Sequence, residues 1–243
     1  MKWLTDLINC FFNKKQNNRT TRKNRVVAPT TTDLLDTVKK PDTLVELKSI
    51  PWIYPHNHSY QADPDGGKKP LNTPENKPIG VVLHHTVTYN LNGTVNFFKN
   101  NAVDVHFIIG HDGEVVQMVD CNRTAAHAGV SYWNGKTNLN NYYIGIEIVN
   151  LGPLTKKNGK YYDAYGNIFK GEPRIRKTQG YEYWEPFTSK QEQSLIKLCK
   201  WLKTNYNIPT ENFAAHFEVS PNRKNDPAGG LSDITMDDFR KKI

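Results

Sequence analysis

Three polar clusters interrupt apolar segments of this chain, and each holds side chains that do chemistry. The first is Leu83-His84-His85-Thr86, which closes the apolar run Ile79–Leu83. An imidazole at a strand end, facing a cleft, is a common metal ligand. Successive strand residues face opposite sides, so at most one of the pair faces a given pocket, and spacing leaves open which. The second cluster, Gly145-Ile146-Glu147-Ile148-Val149, sets a carboxylate inside an apolar strand. Such burial is costly without compensation. Glu147 therefore reads either as half of a buried ion pair or as a general base whose pKa burial has raised. The third cluster runs from Ala215-His216 to Asp226-Pro227. There His216 ends a short strand, and a Pro- and Asn-rich loop presents Lys224 and Asp226 two residues apart.

Two histidines and one carboxylate suit a tetrahedral metal with its fourth position left to water. Bound Zn²⁺ lowers the pKa of that water to about 7. A nearby ammonium such as Lys224 would stabilise the oxyanion formed when hydroxide attacks an amide carbonyl. Each cluster alone is ambiguous. Together they supply ligands, a base and an electrophile.

Several elements must position these groups. Ile79–Leu83 and Tyr143–Val149 read as buried strands, and Thr94–Asn100 as a helix. Val105–Ile109 and Glu114–Val119 flank Gly110-His111-Asp112-Gly113, a hairpin signal. Ser189–Tyr206 is amphipathic, with Leu195, Ile196, Leu198, Cys199 and Leu202 on one side and Thr188 or Ser189 as its cap. Phe213–His216 is a short strand, and Asp237–Lys242 a last helical turn. Residues 152–186, rich in Gly, Tyr, Lys and Pro, read as a long insertion, either a surface loop or an aromatic surface for sugars. The pattern predicts an α/β or α+β domain built on a single sheet flanked by helices.

The chain has 243 residues, enough for one or two domains with a real core. Its 37% hydrophobic content excludes a wholly disordered chain. No apolar run approaches the roughly 18 residues of a membrane-spanning helix. Cys10, Cys121 and Cys199 lie far apart, which argues against a disulfide framework or a cysteine zinc knuckle. The net charge is +8, of which residues 1–40 carry +6 from nine basic and three acidic residues. That basic segment suits an anionic cell-wall polymer or membrane surface. No nucleic-acid-binding module accompanies it, so no specific nucleic-acid partner is expected. Within residues 1–12, Trp3, Leu4, Leu7, Ile8, Phe11 and Phe12 recur at helical spacing, which predicts an amphipathic helix. Asp6 and Asn9 interrupt the run, against a cleaved secretory signal. Residues 13–76 form a basic, Pro-rich extension, and 77–243 hold the chemistry-bearing domain with its 152–186 insertion.

At this level of detail the chain resembles the zinc-dependent N-acetylmuramoyl-L-alanine amidases of the amidase-2 and peptidoglycan recognition protein family. Five blocks carry the resemblance in the family's order: VVLHHT, VDVHFIIGHDGEVVQMVD, AAHAGVSYW, NYYIGIEIVN and AAHFEVSPNRKNDP. The resemblance implies a mixed central sheet flanked by helices, and His84, His216 and Asp226 as ligands of Zn²⁺. It also implies Glu147 as general base and Lys224 as oxyanion partner, with His127 lining the substrate. His85 and His106 are expected either to support these groups from behind or to be structural, and Thr86 to support them from behind. Val105 stands where some phage members carry a catalytic Tyr, and Asp226 where others carry Cys, as in the members that use Glu and Lys. The implied activity is cleavage of the amide between N-acetylmuramic acid and L-alanine of bacterial peptidoglycan. The expected setting is a monomeric phage endolysin, made in the host cytoplasm without a cleaved signal and acting at the cell wall after release. The alternative is a non-catalytic peptidoglycan-binding or virion-associated structural protein.

Overall fold

The computed structural model describes Trp52–Ile53 and residues 69–243. The expected helix over 1–12, most of the 13–76 extension and Cys10 lie outside the described residues. Residues 69–76, assigned from sequence to the extension, already lie on the body. Leu71 is buried and its N–H donates to the Asn122 carbonyl at 3.1 Å.

In chain order the main elements are β1 (Trp52–Ile53), β2 (Gly80–His85), α1 (Leu91–Asn100), β3 (Phe107–Ile109) and β4 (Val115–Gln117). A small hairpin, β5 (Tyr132–Trp133) and β6 (Lys136–Thr137), leads to β7 (Tyr143–Ile148). Five further strands follow: β8 (Pro153–Lys157), β9 (Lys160–Tyr162), β10 (Ile168–Phe169), β11 (Arg174–Thr178) and β12 (Tyr181–Trp184). The chain ends with α2 (Ser189–Tyr206), β13 (Phe213–Ala215), α3 (His216–Val219) and α4 (Met236–Arg240).

The central sheet has the order β1-β4-β3-β7-β2-β13. β3 and β4 form the antiparallel hairpin read from Asp112-Gly113, and every other neighbouring pair is parallel. A sheet covered on both faces explains the continuous apolar runs of β2 and β7. Val81, Val82, Leu83, Ile144, Ile146 and Ile148 are all buried.

Helix α2 spans the predicted residues because both its ends carry stop signals. Thr188 caps the start, its side chain accepting from the Gln191 N–H while Gln191 reaches back to the Thr188 amide. Asn207, with φ 53°, closes the other end. Leu195, Leu198, Cys199 and Leu202 form its buried face, so truncating Leu198 to Ala would cost about 2–5 kcal/mol. Two expectations shift by a few residues. Helix α1 starts at Leu91 rather than Thr94 because the Asn90 side chain accepts from the Gly93 N–H at 2.7 Å. His216 does not end β13 but opens α3. The Glu218 carboxylate takes the Ala215 N–H at 2.8 Å and turns the chain into a helix.

The 152–186 insertion is not an irregular surface loop. It folds into an antiparallel sheet of order β10-β9-β8-β12-β11 beside the central one. Asn158-Gly159 and Gln179-Gly180, all at positive φ, make the two-residue turns of its β8–β9 and β11–β12 hairpins. Trp184 anchors it to the body. The ring is fully buried and lies so close to Gly229 that a Cβ there would sit 2.1 Å from it. The Arg174 guanidinium donates to the Gly230 carbonyl at 2.5 Å, and Arg176 donates to the carbonyls of Leu231, Ser232 and Asp233. Both described cysteines, Cys121 and Cys199, are buried thiols.

Candidate metal centre

β13, β2 and β7 run parallel and end at one edge of the sheet, where open α/β sheets place their ligand sites. The pairing sets the heights of their side chains. His84 is paired with Glu147, and Leu83 with Ala215, so His216 emerges beside His84. Alternation then decides between the two adjacent histidines. His84 shares a face with Val82 and with their partners Gly145 and Glu147, and His85 points to the other face.

The loop after His216 returns Asp226 to it. The Phe217 N–H donates to the Asp226 carbonyl at 3.0 Å, and the Ser220 carbonyl accepts from the amides of Arg223 and Lys224. Three side-chain atoms converge as a result. His84 Nδ1 lies 2.8 Å from His216 Nδ1 and 3.1 Å from Asp226 Oδ2, and His216 Nδ1 lies 2.9 Å from the same oxygen. All three residues are buried.

The partners of the other ring nitrogens assign the tautomers. His127 Nε2 lies 3.0 Å from the Tyr143 carbonyl and must donate to it. Burial, then the neighbouring His84 and His106, hold His127 well below the usual imidazole pKa, so its ring is neutral and Nδ1 is an acceptor. That Nδ1 is 3.1 Å from His84 Nε2, which therefore carries the proton. His216 Nε2 donates to the Ala128 carbonyl at 3.1 Å. With both rings in the neutral form that metal ligation requires, both Nδ1 lone pairs face each other and a carboxylate oxygen. In that form two acceptors lie 2.8 Å apart, an arrangement that a cation between them would relieve. The donor set, two imidazoles with their outer N–H groups held and one carboxylate, fits Zn²⁺.

Electrostatics agree with this use. Burial, followed by His216, lowers His84 to about 3, which keeps the ring in the neutral form a ligand needs. Burial raises the Asp226 carboxyl, but His216 and His84 outweigh it and hold the group well below the usual carboxylate range. Glu147 is the opposite case. Burial, with Asp226 adding to it and Lys224 opposing, pushes its carboxyl up to about 8. Among the described residues its enclosed Oε2 has no hydrogen-bond partner. Lys224 is near enough for its charge to lower both His84 and Glu147.

The remaining expected residues divide. His127, expected to line the substrate, has both ring nitrogens engaged inside the protein, one of them with His84. His106 accepts from the Gly145 N–H at 3.0 Å and donates to the Arg123 carbonyl at 2.8 Å, supporting β7 and packing on His127 rather than on a ligand. His85 lies over Gly152 and beside Trp184, on the insertion side of the sheet. Thr86 bonds Thr88 and the Asn150 N–H, tying two strand ends together without reaching the histidines. Val105 is a core residue packed with Phe98 and Ile108. Asn140, Ala128 and Gly145 were not singled out from sequence. Of these, only Gly145, a glycine inside a strand, carried a signal, that of a close approach. A Cβ there would lie 2.5 Å from the His127 ring.

Comparison with known proteins agrees with this architecture. The N-acetylmuramoyl-L-alanine amidase family matches residues 74–229. The N-acetylmuramoyl-L-alanine amidase AmiD of Escherichia coli is 30% identical over 154 residues, 60% of this chain and 48% of its own length. The chain therefore spans about half of that relative. The 1,6-anhydro-N-acetylmuramyl-L-alanine amidase AmpD of Salmonella typhimurium is 28% identical over 194 residues, 76% of this chain and 84% of its own. Among solved structures, AmiD in complex with anhydro-N-acetylmuramic acid-L-Ala-D-gamma-Glu-L-Lys superposes with a TM-score of 0.50 at 27% identity, covering 66% of this chain and 56% of that one. With the family match spanning well over half of its residues, the chain belongs to the Amidase_2 family of N-acetylmuramoyl-L-alanine amidases.

Proposed function

We propose that this protein is a zinc-dependent amidase that hydrolyses the bond between the lactyl carbonyl of N-acetylmuramic acid and the L-alanine of bacterial peptidoglycan. The observation that carries the reading is the meeting of His84 Nδ1, His216 Nδ1 and Asp226 Oδ2 within 3.1 Å of one another, with Glu147, whose Oε2 has no hydrogen-bond partner among the described residues, paired to His84 across the sheet. His84, His216 and Asp226 would hold a Zn²⁺ ion, which when bound would supply Lewis acidity toward the carbonyl and the attacking water. Glu147 takes the proton of the attacking water and passes it to the leaving alanine nitrogen, its raised pKa matched to both steps. Lys224 balances the negative charge that develops on the carbonyl oxygen. The two imidazoles are oriented for this by the fold, which bonds the outer N–H of each.

The biological setting we propose is lysis of a host cell wall by a phage-encoded enzyme acting as a monomer. In this reading the basic N-terminal segment holds the protein to an anionic wall polymer or membrane surface. Salt-dependent sedimentation with walls, compared with a chain lacking residues 1–40, tests that part.

The test of the activity is mass spectrometry of purified peptidoglycan after incubation with the protein. Free stem peptides with a new alanine amine, lost with a chelator and restored by Zn²⁺, are expected. Intact muropeptides in every sample, from protein that holds zinc, would overturn the catalytic reading and leave a binding protein.

A further inference from the structure

One dipeptide stands behind both histidines of the metal centre. His127 Nδ1 accepts from His84 Nε2 at 3.1 Å, and the next residue's carbonyl, Ala128 O, accepts from His216 Nε2 at the same distance. These two histidines lie 132 residues apart in sequence, one near a strand end and one opening a helix, yet one short segment accepts from both rings. The segment is itself held. Asn140 Oδ1 accepts from the backbone N–H groups of both His127 and Ala128, at 3.0 and 2.7 Å. The His127 ring is fixed at its far side by the Tyr143 carbonyl, and Gly145 leaves the space it occupies. Arg223 adds a bond from its guanidinium to Ala128 O at 2.7 Å.

We infer that His127-Ala128, clamped by Asn140, is the positioning device of the metal centre, and that His127 acts on metal affinity through His84 rather than on substrate. The inference rests on the proposed zinc site. The physical reason is the tautomer. An imidazole that binds metal through Nδ1 must carry its proton on Nε2, and only an acceptor at that position holds it there. His127 offers a lone pair because its own proton is committed to Tyr143 O. A residue at 127 without an acceptor frees the His84 ring to turn and to exchange tautomers. A residue with an amide oxygen in place of Nδ1 retains the bond.

Zinc affinity, measured by competition with a chromophoric chelator, separates these cases in the full-length protein. His127→Leu is expected to bind zinc roughly 10–100-fold more weakly, and His127→Asn to stay close to wild type. The metal-free melting temperature of each variant is read alongside. A merely structural role would lower that temperature in both variants and leave zinc affinity unmoved. Wild-type affinity in His127→Leu overturns the inference, as does a loss in His127→Asn equal to that in His127→Leu. Should His127→Leu not fold, Asn140→Ala carries the test, since it removes the clamp without touching either ring. A several-fold loss of affinity, restored in Asn140→Asp, supports the inference, and unchanged affinity overturns it. Wild-type protein that takes up no zinc would instead sink the proposed function itself.

Discussion

His84 and Glu147 are paired residues on adjacent parallel strands, at the edge where β2 and β7 both end. Neighbouring strands lie about 4.8 Å apart, so the pairing sets the carboxylate one strand from the ligand imidazole. No flexible loop intervenes between them. A base and a ligand built on two central strands keep their separation through the reaction, which loops alone would not ensure.

The first prediction concerns Glu147 as base. Glu147→Gln preserves shape and removes the proton acceptor. Zinc content should equal wild type, while turnover on peptidoglycan falls roughly 10²–10⁴-fold. Single-turnover rates with equal zinc loading measure this, and a variant with full activity would remove Glu147 from the mechanism.

The raised pKa of Glu147 has a consequence for stability. Folding shifts it from 4.5 to about 8, so the native state binds this proton more tightly than the unfolded chain does. Its contribution is fully favourable below pH 4.5 and is lost as pH rises through about 8. Metal-free Glu147→Gln cannot ionise. It should melt with the wild type at pH 4 and above it at pH 9. Each kcal/mol of that difference corresponds to roughly 2–4 °C for a domain of this size. A melting difference independent of pH would contradict the assignment.

Zinc should stabilise the fold by mass action. At a thousandfold excess over Kd the gain is about 4 kcal/mol, or roughly 8–16 °C. Asp226→Asn keeps the shape but removes the one anionic ligand, so most of this gain should vanish. Calorimetry with and without a chelator reads both. An equal zinc-induced shift in Asp226→Asn would move the ligand elsewhere.

The insertion sheet depends on the contact of Trp184 with Gly229. In Gly229→Ala the added methyl meets the buried indole at 2.1 Å, and relief of the clash should cost about 1–3 kcal/mol. Limited proteolysis should then cut within residues 153–184 first. Protection equal to wild type would show that the sheet holds to the body by its arginine bonds alone.

Much of the scaffold was legible along the chain. The β3–β4 hairpin announced itself through Asp112-Gly113, and α2 through its cap and its apolar stripe. The second sheet was not read, although Asn158-Gly159 is a hairpin signal of the same kind. Its strands are short and rich in charged and aromatic residues with few aliphatic ones, so the segment resembles a polar loop. The hydrogen bonds of His127 were illegible for a different reason. Its contacts are with Tyr143, Gly145 and His84, none of them near it in sequence, so no local pattern announces the hydrogen bonds its two nitrogens make.

The sequence by itself determined the residue types of the site, their order and the strands that carry them. Those properties are local. An apolar run, a cap or a turn is stabilised by neighbours a few residues away. The tertiary structure decided which of His84 and His85 faces the cleft, because a strand's alternation is fixed only up to its choice of face. The strand pairing that makes that choice also sets β7 and β13 beside β2. It likewise decided that His84, His216 and Asp226 meet within 3.1 Å. Their separations of 132 and 142 residues are closed by sheet pairing, and no local preference encodes that distance.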